Sequence, residues 1–83
     1  MRRKIVAGNW KMNNDQNESN ILIHSVIEKN SENLSCNIYV SPSFPFLKDA
    51  VLTCSKSNIK VLSQNVSHLI NGALTGDVSC TML

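Results

Sequence analysis

Apolar residues along the chain follow two alternating periods, a pattern that predicts strands and helices in turn. Residues 4–8 form a short apolar, β-branched run that ends at a glycine, which predicts a buried strand. Residues 38–40 form a second such run, which Pro42 stops, and a third strand is predicted over residues 59–62. The chain therefore offers three short strands for one sheet.

Between the strands, apolar residues recur at helical spacing. A first helix is predicted from Asp15, which stands at capping-box spacing from Glu18, and the polar stretch 28–35 closes it. A second helix is predicted from residue 47 and ends at Asn58, with Pro45 where a first helical turn tolerates proline. The apolar faces of the two helices are Leu22, Ile23, Val26 and Ile27, and Leu47, Ala50, Val51 and Cys54.

The last part of the chain has a different character. Residues 65–77 show no clear period and predict a long loop, and long loops are more often functional than idle. From Val78 the pattern is typical of the opening of a third helix, with Ser79 as its cap. No glycine, lysine or proline stop signal follows before Leu83, so we expect the chain to be truncated within this helix.

The alternation of strands and helices implies an α/β fold, with parallel strands joined by right-handed crossovers. The predicted strands start near residues 4, 37 and 59, at intervals that bracket the ~31 residues per unit of an eight-unit barrel of about 250 residues. A doubly wound sheet would suit these intervals equally well. Both architectures bind ligands at the carboxyl ends of the strands, so the residues that follow each strand form the candidate site.

Composition excludes several classes of function. An apolar fraction of 42% and a charged fraction of 17% are ordinary for a folded protein, and 83 residues allow one domain at most. The net charge is only +2 and the basic residues form no stripe with aromatics, so no nucleic-acid partner is expected. The first apolar run is too short for a signal peptide or a membrane span. Three widely spaced cysteines without a C-x-x-C pair indicate neither a metal site nor disulfides, and favour a cytoplasmic protein.

Few residues suggest chemistry by type and spacing alone. The chain lacks the glycine-rich motifs of dinucleotide and phosphate loops, so we expect no cofactor. His68 and Cys80 are near in sequence, but a nucleophilic dyad requires a geometry that proximity in sequence does not supply. After the first strand, Asn9 and Lys11 are by residue type an ordinary turn residue and a solvated lysine.

Two long motifs change this picture. They closely resemble the first and third loops of the triosephosphate isomerase family, in the family's order and at its separation. The first motif is residues 8–13 (GNWKMN), and the second is residues 64–67 (QNVS) followed by residues 71–79 (NGALTGDVS). The resemblance covers residues 1–83 and favours the first three βα units of a (β/α)8 barrel over a doubly wound sheet. It implies part of an isomerase that interconverts dihydroxyacetone phosphate and D-glyceraldehyde 3-phosphate in glycolysis and gluconeogenesis.

The resemblance also implies roles for individual residues. In this family the residues that match Asn9 and Lys11 bind the phosphorylated triose substrate, and the lysine is catalytic, with its ammonium near the carbonyl and phosphate oxygens. The third loop reaches into a second subunit, so a homodimer is implied. The residues implied at that interface are Met12, Asn13, Gln64, Thr75, Gly76 and Asp77. Two positions depart from the family, since Asp77 replaces the usual glutamate and Leu74 replaces a common aromatic residue.

The family's carboxylate base and neutral histidine electrophile belong to later strands, so residues 1–83 alone are expected to be inactive. Two other hypotheses remain at this point. One is a doubly wound binding module such as a flavodoxin-like domain, for which residues 9–11 would be a poor phosphate loop. The other is a small stand-alone interaction protein with residues 65–77 as its contact loop, which would require a properly terminated domain.

Overall fold

The computed structural model describes residues 2–32 and 35–83, and it contains a three-stranded parallel sheet with two α-helices. The elements are β1 Lys4–Asn9, α1 Gln16–Lys29, β2 Cys36–Ser41, a 3₁₀ turn Phe44–Phe46, α2 Leu47–Cys54 and β3 Ile59–Val61. Their order confirms the predicted α/β fold. Within the polar stretch predicted to close the first helix, residues 33 and 34 lie outside the described residues.

The central strand β2 pairs in parallel with both of its neighbours. Val40 lies opposite Gly8 on one side and opposite Val61 on the other. The spatial order β1-β2-β3 follows the order of the chain. A flavodoxin-like sheet instead places its first strand between the second and third, so the flavodoxin-like example of the doubly wound alternative is contradicted. The other doubly wound order, 3-2-1-4-5-6, contains the same three neighbours, and strand order alone does not separate it from a barrel. Because all three strands run in one direction, their carboxyl ends meet at the same edge.

A capping box marks the start of α1, and a proline-containing turn precedes α2. Asp15 Oδ1 accepts a hydrogen bond from Glu18 N at 2.9 Å, and Glu18 Oε1 accepts one from Asp15 N at 3.2 Å. This pair confirms the predicted capping box and satisfies backbone N–H groups for which the helix has no partner of its own. Before α2, Pro45 lies in the 3₁₀ turn, where its missing N–H removes no helical hydrogen bond.

The core lies on one face of the sheet. Its buried apolar residues are Ile23 of α1, Ala50 and Cys54 of α2, Val40 of β2 and Ile59 of β3. Since both helices contribute to this cluster, both cover the same face, as successive right-handed crossovers require. Half-buried side chains surround the cluster, namely Trp10, Val26, Ile27, Ile38 and Val61.

The prediction that β1 is a buried strand was wrong, since every residue of β1 is exposed. Ile5 is 63% exposed and Val6 is 58% exposed. Their pattern is typical of a strand covered on both faces. The described residues, however, place no layer against the face opposite the helices and no strand beside the outer edge of β1. Val51, predicted on the apolar face of the second helix, is 54% exposed, because it lines an open groove between α2 and the last residues of the chain.

The predicted opening of a third helix is observed as a single turn, in which Met82 N donates to Ser79 O at 3.2 Å. The Ser79 hydroxyl pairs with Thr81 Oγ1 at 3.0 Å, so it does not cap backbone N–H groups. The physical reason is that residues 79–83 allow one helical i to i−4 bond, and the first turn is the costly step of helix formation. Residues 65–77 form the predicted long loop.

Residues 1–83 by themselves are expected to lack a cooperative thermal transition. Among the described residues, five apolar side chains form the buried core, whereas the whole of β1 and many large apolar side chains are open to solvent. A fully packed domain of this length would absorb about 60 kcal/mol on unfolding. Calorimetry should instead show a broad transition of much smaller enthalpy. A sharp transition of about that full enthalpy from a monomeric sample would contradict this expectation.

Candidate functional site

The carboxyl edge of the sheet, which we call the mouth, comprises residues 9–13, 41–43 and 62–65. Backbone hydrogen bonds extend the strand ladder into it. Trp10 N donates to Ser41 O at 3.1 Å, and Leu62 N donates to Val40 O at 2.9 Å. The chain that follows each strand is therefore held by the sheet.

The loop after β1 is folded by its own side chains. Asn9 Oδ1 accepts a hydrogen bond from Lys11 N at 2.8 Å, which is the turn-forming role expected of a loop asparagine. Asn13 Nδ2 donates to Trp10 O at 2.8 Å and closes the next part of the loop. The Trp10 side chain packs against the core, with its ring 3.7 Å from the position of a Cβ built on Gly8. These contacts give the loop a defined path over the end of the sheet.

Lys11 has a left-handed backbone conformation, with φ of 57°. Asn14 in the same loop has φ of 71°, but asparagine tolerates this region better than most residues. For lysine the conformation costs about 1–3 kcal/mol, and it persists only where the surrounding structure enforces it. Strain of this kind is concentrated at functional sites, which directs attention to the groups that hold Lys11.

The carbonyl oxygen of Lys11 accepts two side-chain hydrogen bonds. Gln64 Nε2 donates to it at 2.7 Å, and Ser43 Oγ donates to it at 3.1 Å. Gln64 Nε2 also donates to Ser41 O at 2.9 Å. The first loop is thus joined to the ends of β2 and β3, across sequence separations of 32 and 53 residues.

The structure brings together Asn9, Lys11 and Gln64, three residues that the sequence singled out. The Lys11 side chain is exposed at the mouth, where a single cation is suited to an anionic ligand. The remaining predicted interface residues fall into two groups. Met12, which is 95% exposed, and Asn13 belong to the first loop, whereas Thr75, Gly76 and Asp77 are exposed in the loop 65–77.

Ser43 is the residue of this site that the sequence analysis missed. Pro42 marks the end of β2, and no motif includes the serine that follows it. The signal was a serine directly after that proline, two residues beyond a strand end that faces the candidate loop. A hydroxyl in that position can reach a neighbouring carbonyl.

Other reactive groups lie apart from the mouth. Burial raises the pKa of the Cys54 thiol, and a hydrogen bond with Ser57 lowers it by less, so Cys54 serves as a small apolar core residue. His68 and Cys80 are both exposed. In residues 2–32 and 35–83, no cluster of histidine, cysteine and carboxylate side chains is arranged to hold a metal ion. Over the same residues, no helix combines the length and apolar character needed to cross a membrane.

Comparison with known proteins agrees with this geometry. The family model described as triosephosphate isomerase matches residues 4–83. A triosephosphate isomerase of Flavobacterium psychrophilum is 45% identical over 83 residues, which cover 100% of this chain and 33% of the relative. A triosephosphate isomerase of Herminiimonas arsenicoxydans is 41% identical over 83 residues, again with 100% and 33% coverage. One of Chlorobium phaeovibrioides is 39% identical over 84 residues, with 100% and 34% coverage.

The chain therefore spans about a third of the length of the curated relatives that it matches. A match over residues 4–83 argues against the stand-alone interaction protein, for which no such relatives are expected. The parallel order β1-β2-β3 is the order in which a (β/α)8 barrel begins. The strand order, the two loop motifs and the family match together show that this chain belongs to the triosephosphate isomerase family, as an N-terminal segment of it.

Proposed function

We propose that this chain supplies the lysine-bearing part of an isomerase that interconverts dihydroxyacetone phosphate and D-glyceraldehyde 3-phosphate. The observation that supports this most directly is Lys11 at the mouth, with a strained backbone held from the ends of two other strands. In (β/α)8 barrels the active site lies at this end of the strands. A strained, well-anchored residue there fits a role in catalysis better than a role in stability.

The reaction explains why a cation is needed at this place. Removal of a proton next to the substrate carbonyl leaves a negatively charged enediolate, while a phosphate dianion is already present. The Lys11 ammonium stabilises both charges in this proposal, and Asn9 lines the pocket beside it. At about 4 Å and an effective dielectric constant near 20, one such contact contributes up to ~4 kcal/mol before desolvation is subtracted. A cation fixed beforehand also requires no reorganisation as the charge develops.

The proposal includes a homodimer in which the loop 65–77 binds a second subunit beside its first loop. Ser67 N donates to Val78 O at 2.7 Å and closes the base of the loop. Four large apolar side chains of the loop are between 43% and 55% exposed, namely Val66, Leu69, Ile70 and Leu74. Exposed apolar groups concentrated in one segment are typical of a protein interface. We place the enzyme in the cytoplasm, where the Cys54 and Cys80 thiols stay reduced.

The role of Lys11 can be tested in an assay enzyme made of residues 1–83 followed by the remaining two thirds of the Flavobacterium psychrophilum relative. Lys11→Met keeps most of the bulk of the side chain and removes its charge. We expect KM to rise, because the substrate already carries its charged phosphate in the ground state. We expect kcat to fall, because the enediolate charge that Lys11 also stabilises develops only in the transition state. The loss in kcat/KM should be roughly two to three orders of magnitude.

Lys56→Met is the matched control, since Lys56 is exposed at the opposite end of the sheet from the mouth. It should leave both constants unchanged. Circular dichroism and sedimentation must show that each variant is folded and dimeric. An inactive parent assay enzyme, or a Lys11→Met enzyme within a factor of about five of the parent, would refute the proposed function.

Residues 1–83 alone are expected to show no isomerase activity above buffer, because the described residues offer a cation but no base and acid pair around it. The measurement is a coupled assay of the purified chain, with a sample from cells that lack the host isomerase. Turnover that increases in proportion to the chain's concentration would overturn this expectation.

The interface proposal predicts different effects for two glycines of the loop 65–77. Gly76 has φ of 84°, where a side chain costs about 1–2 kcal/mol, so Gly76→Ala should weaken the dimer of the assay enzyme about tenfold. A Cβ at Gly72 would meet only Leu69 at 3.7 Å, an ordinary contact, so Gly72→Ala should leave the dimer unchanged. Sedimentation equilibrium measures both. Equal dissociation constants for the two variants would argue against an ordered loop at the interface.

A further inference from the structure

We propose that Ser43 and Gln64 are positioning residues for Lys11, and that together they hold the carbonyl group which fixes its left-handed backbone. We call these two side chains the carbonyl clamp. The inference rests on the proposed function, because Lys11 is the group that the clamp would serve. The proposal adds two residues, one after β2 and one after β3, that affect Lys11 through hydrogen bonds to its backbone carbonyl group.

The two clamp side chains together occupy both lone pairs of the Lys11 carbonyl oxygen. A backbone carbonyl has two lone pairs, and the Lys11 oxygen receives one donor from Gln64 at 2.7 Å and one from Ser43 at 3.1 Å. On the other side of the residue, Lys11 N donates to Asn9 Oδ1. Both backbone polar groups of Lys11 are therefore occupied in this conformation. A rotation of its backbone toward negative φ would break at least one of these bonds.

The donors themselves are held by the fold. Gln64 uses the same amide nitrogen to bond Ser41 O at 2.9 Å, which fixes the orientation of the amide group. Ser43 lies between Pro42 and the 3₁₀ turn, and its own carbonyl accepts from Phe46 N at 3.0 Å. Proline restricts the backbone on one side and the turn restricts it on the other. The clamp thus transfers the rigidity of β2 and β3 to a loop that has no helix or strand of its own.

Neither donor bonds the Lys11 ammonium group, so the clamp affects catalysis only through the position from which that group extends. Misplacement of a catalytic group by about 1 Å is sufficient to lower a rate substantially. Loss of the clamp should therefore affect the same steps as loss of the lysine charge, to a smaller extent. KM should rise and kcat should fall together in enzyme that sedimentation shows to be dimeric.

The test uses the assay enzyme with substitutions at the two clamp residues. Ser43→Ala removes one donor and should lower kcat/KM about three- to tenfold, while Ser43→Thr keeps the hydroxyl and should restore most of the activity. Gln64→Met removes the amide at similar length and should lower kcat/KM about ten- to a hundredfold, because two hydrogen bonds are lost. The matched control is Ser55→Ala, which also removes a serine donor from a backbone carbonyl, that of Leu52 at 2.8 Å, at the opposite end of the sheet. It should leave both constants unchanged.

A double-mutant cycle separates positioning from a merely structural role. In the Lys11→Met background, Ser43→Ala and Gln64→Met should cost less than twofold in kcat/KM, because the charge they position is gone. If the clamp substitutions lower kcat/KM in the Lys11→Met background as much as in the parent, the inference is overturned. It is also overturned if the single clamp variants have the same kcat/KM as the parent. If Gln64→Met fails to fold, the Ser43→Ala and Ser43→Thr pair decides the outcome. An active parent that Lys11→Met impairs, combined with neutral clamp variants, rejects the clamp and leaves the proposed function standing.

Discussion

Parallel pairing of β2 with β1 and β3 brings three segments that are distant in sequence to one edge of the sheet. Asn9, Ser41 and Gln64 follow or end different strands, and only this pairing places them within hydrogen-bonding reach of a shared loop. The same pairing directs both crossover helices to one face, where the core forms. Loss of the register between β1 and β2 would therefore remove the mouth, since the first loop would no longer lie beside the ends of β2 and β3.

The mouth combines a locally unfavourable backbone with favourable tertiary contacts. A lysine at φ of 57° is strained by about 1–3 kcal/mol, and net contributions of about 1 kcal/mol from each of several hydrogen bonds are of the same size. The strain is thus balanced by contacts and not by local preference. Such a loop is held in one conformation only while the neighbouring strand ends remain in place. The position of the Lys11 side chain on this loop therefore depends on the fold of the whole sheet.

The sequence predicted the features that depend on local pattern. The positions of β1, α1, β2, α2 and β3 follow from apolar period and from signals such as the Asp15 capping box and Pro42. The exposure of Ile5 was not predictable, because an apolar run shows that a covering layer is needed and not whether one is present. Neither was the conformation of Lys11, since glycine and asparagine mark positive φ in a sequence and lysine does not. The contact of Ser43 with the loop is purely tertiary and becomes visible only when the strands are paired.

The open outer edge of β1 has a consequence for synthesis of the protein. In a barrel of about 250 residues made at roughly 5–20 residues per second, this N-terminal segment waits about ten to thirty seconds before the last strands can cover it. During that time β1 presents an apolar edge to which a second nascent chain could pair. The run Arg2, Arg3 and Lys4 places positive charges at the start of this edge, where two copies in register would repel each other. Like charges at this end of the strand therefore disfavour pairing between two nascent chains.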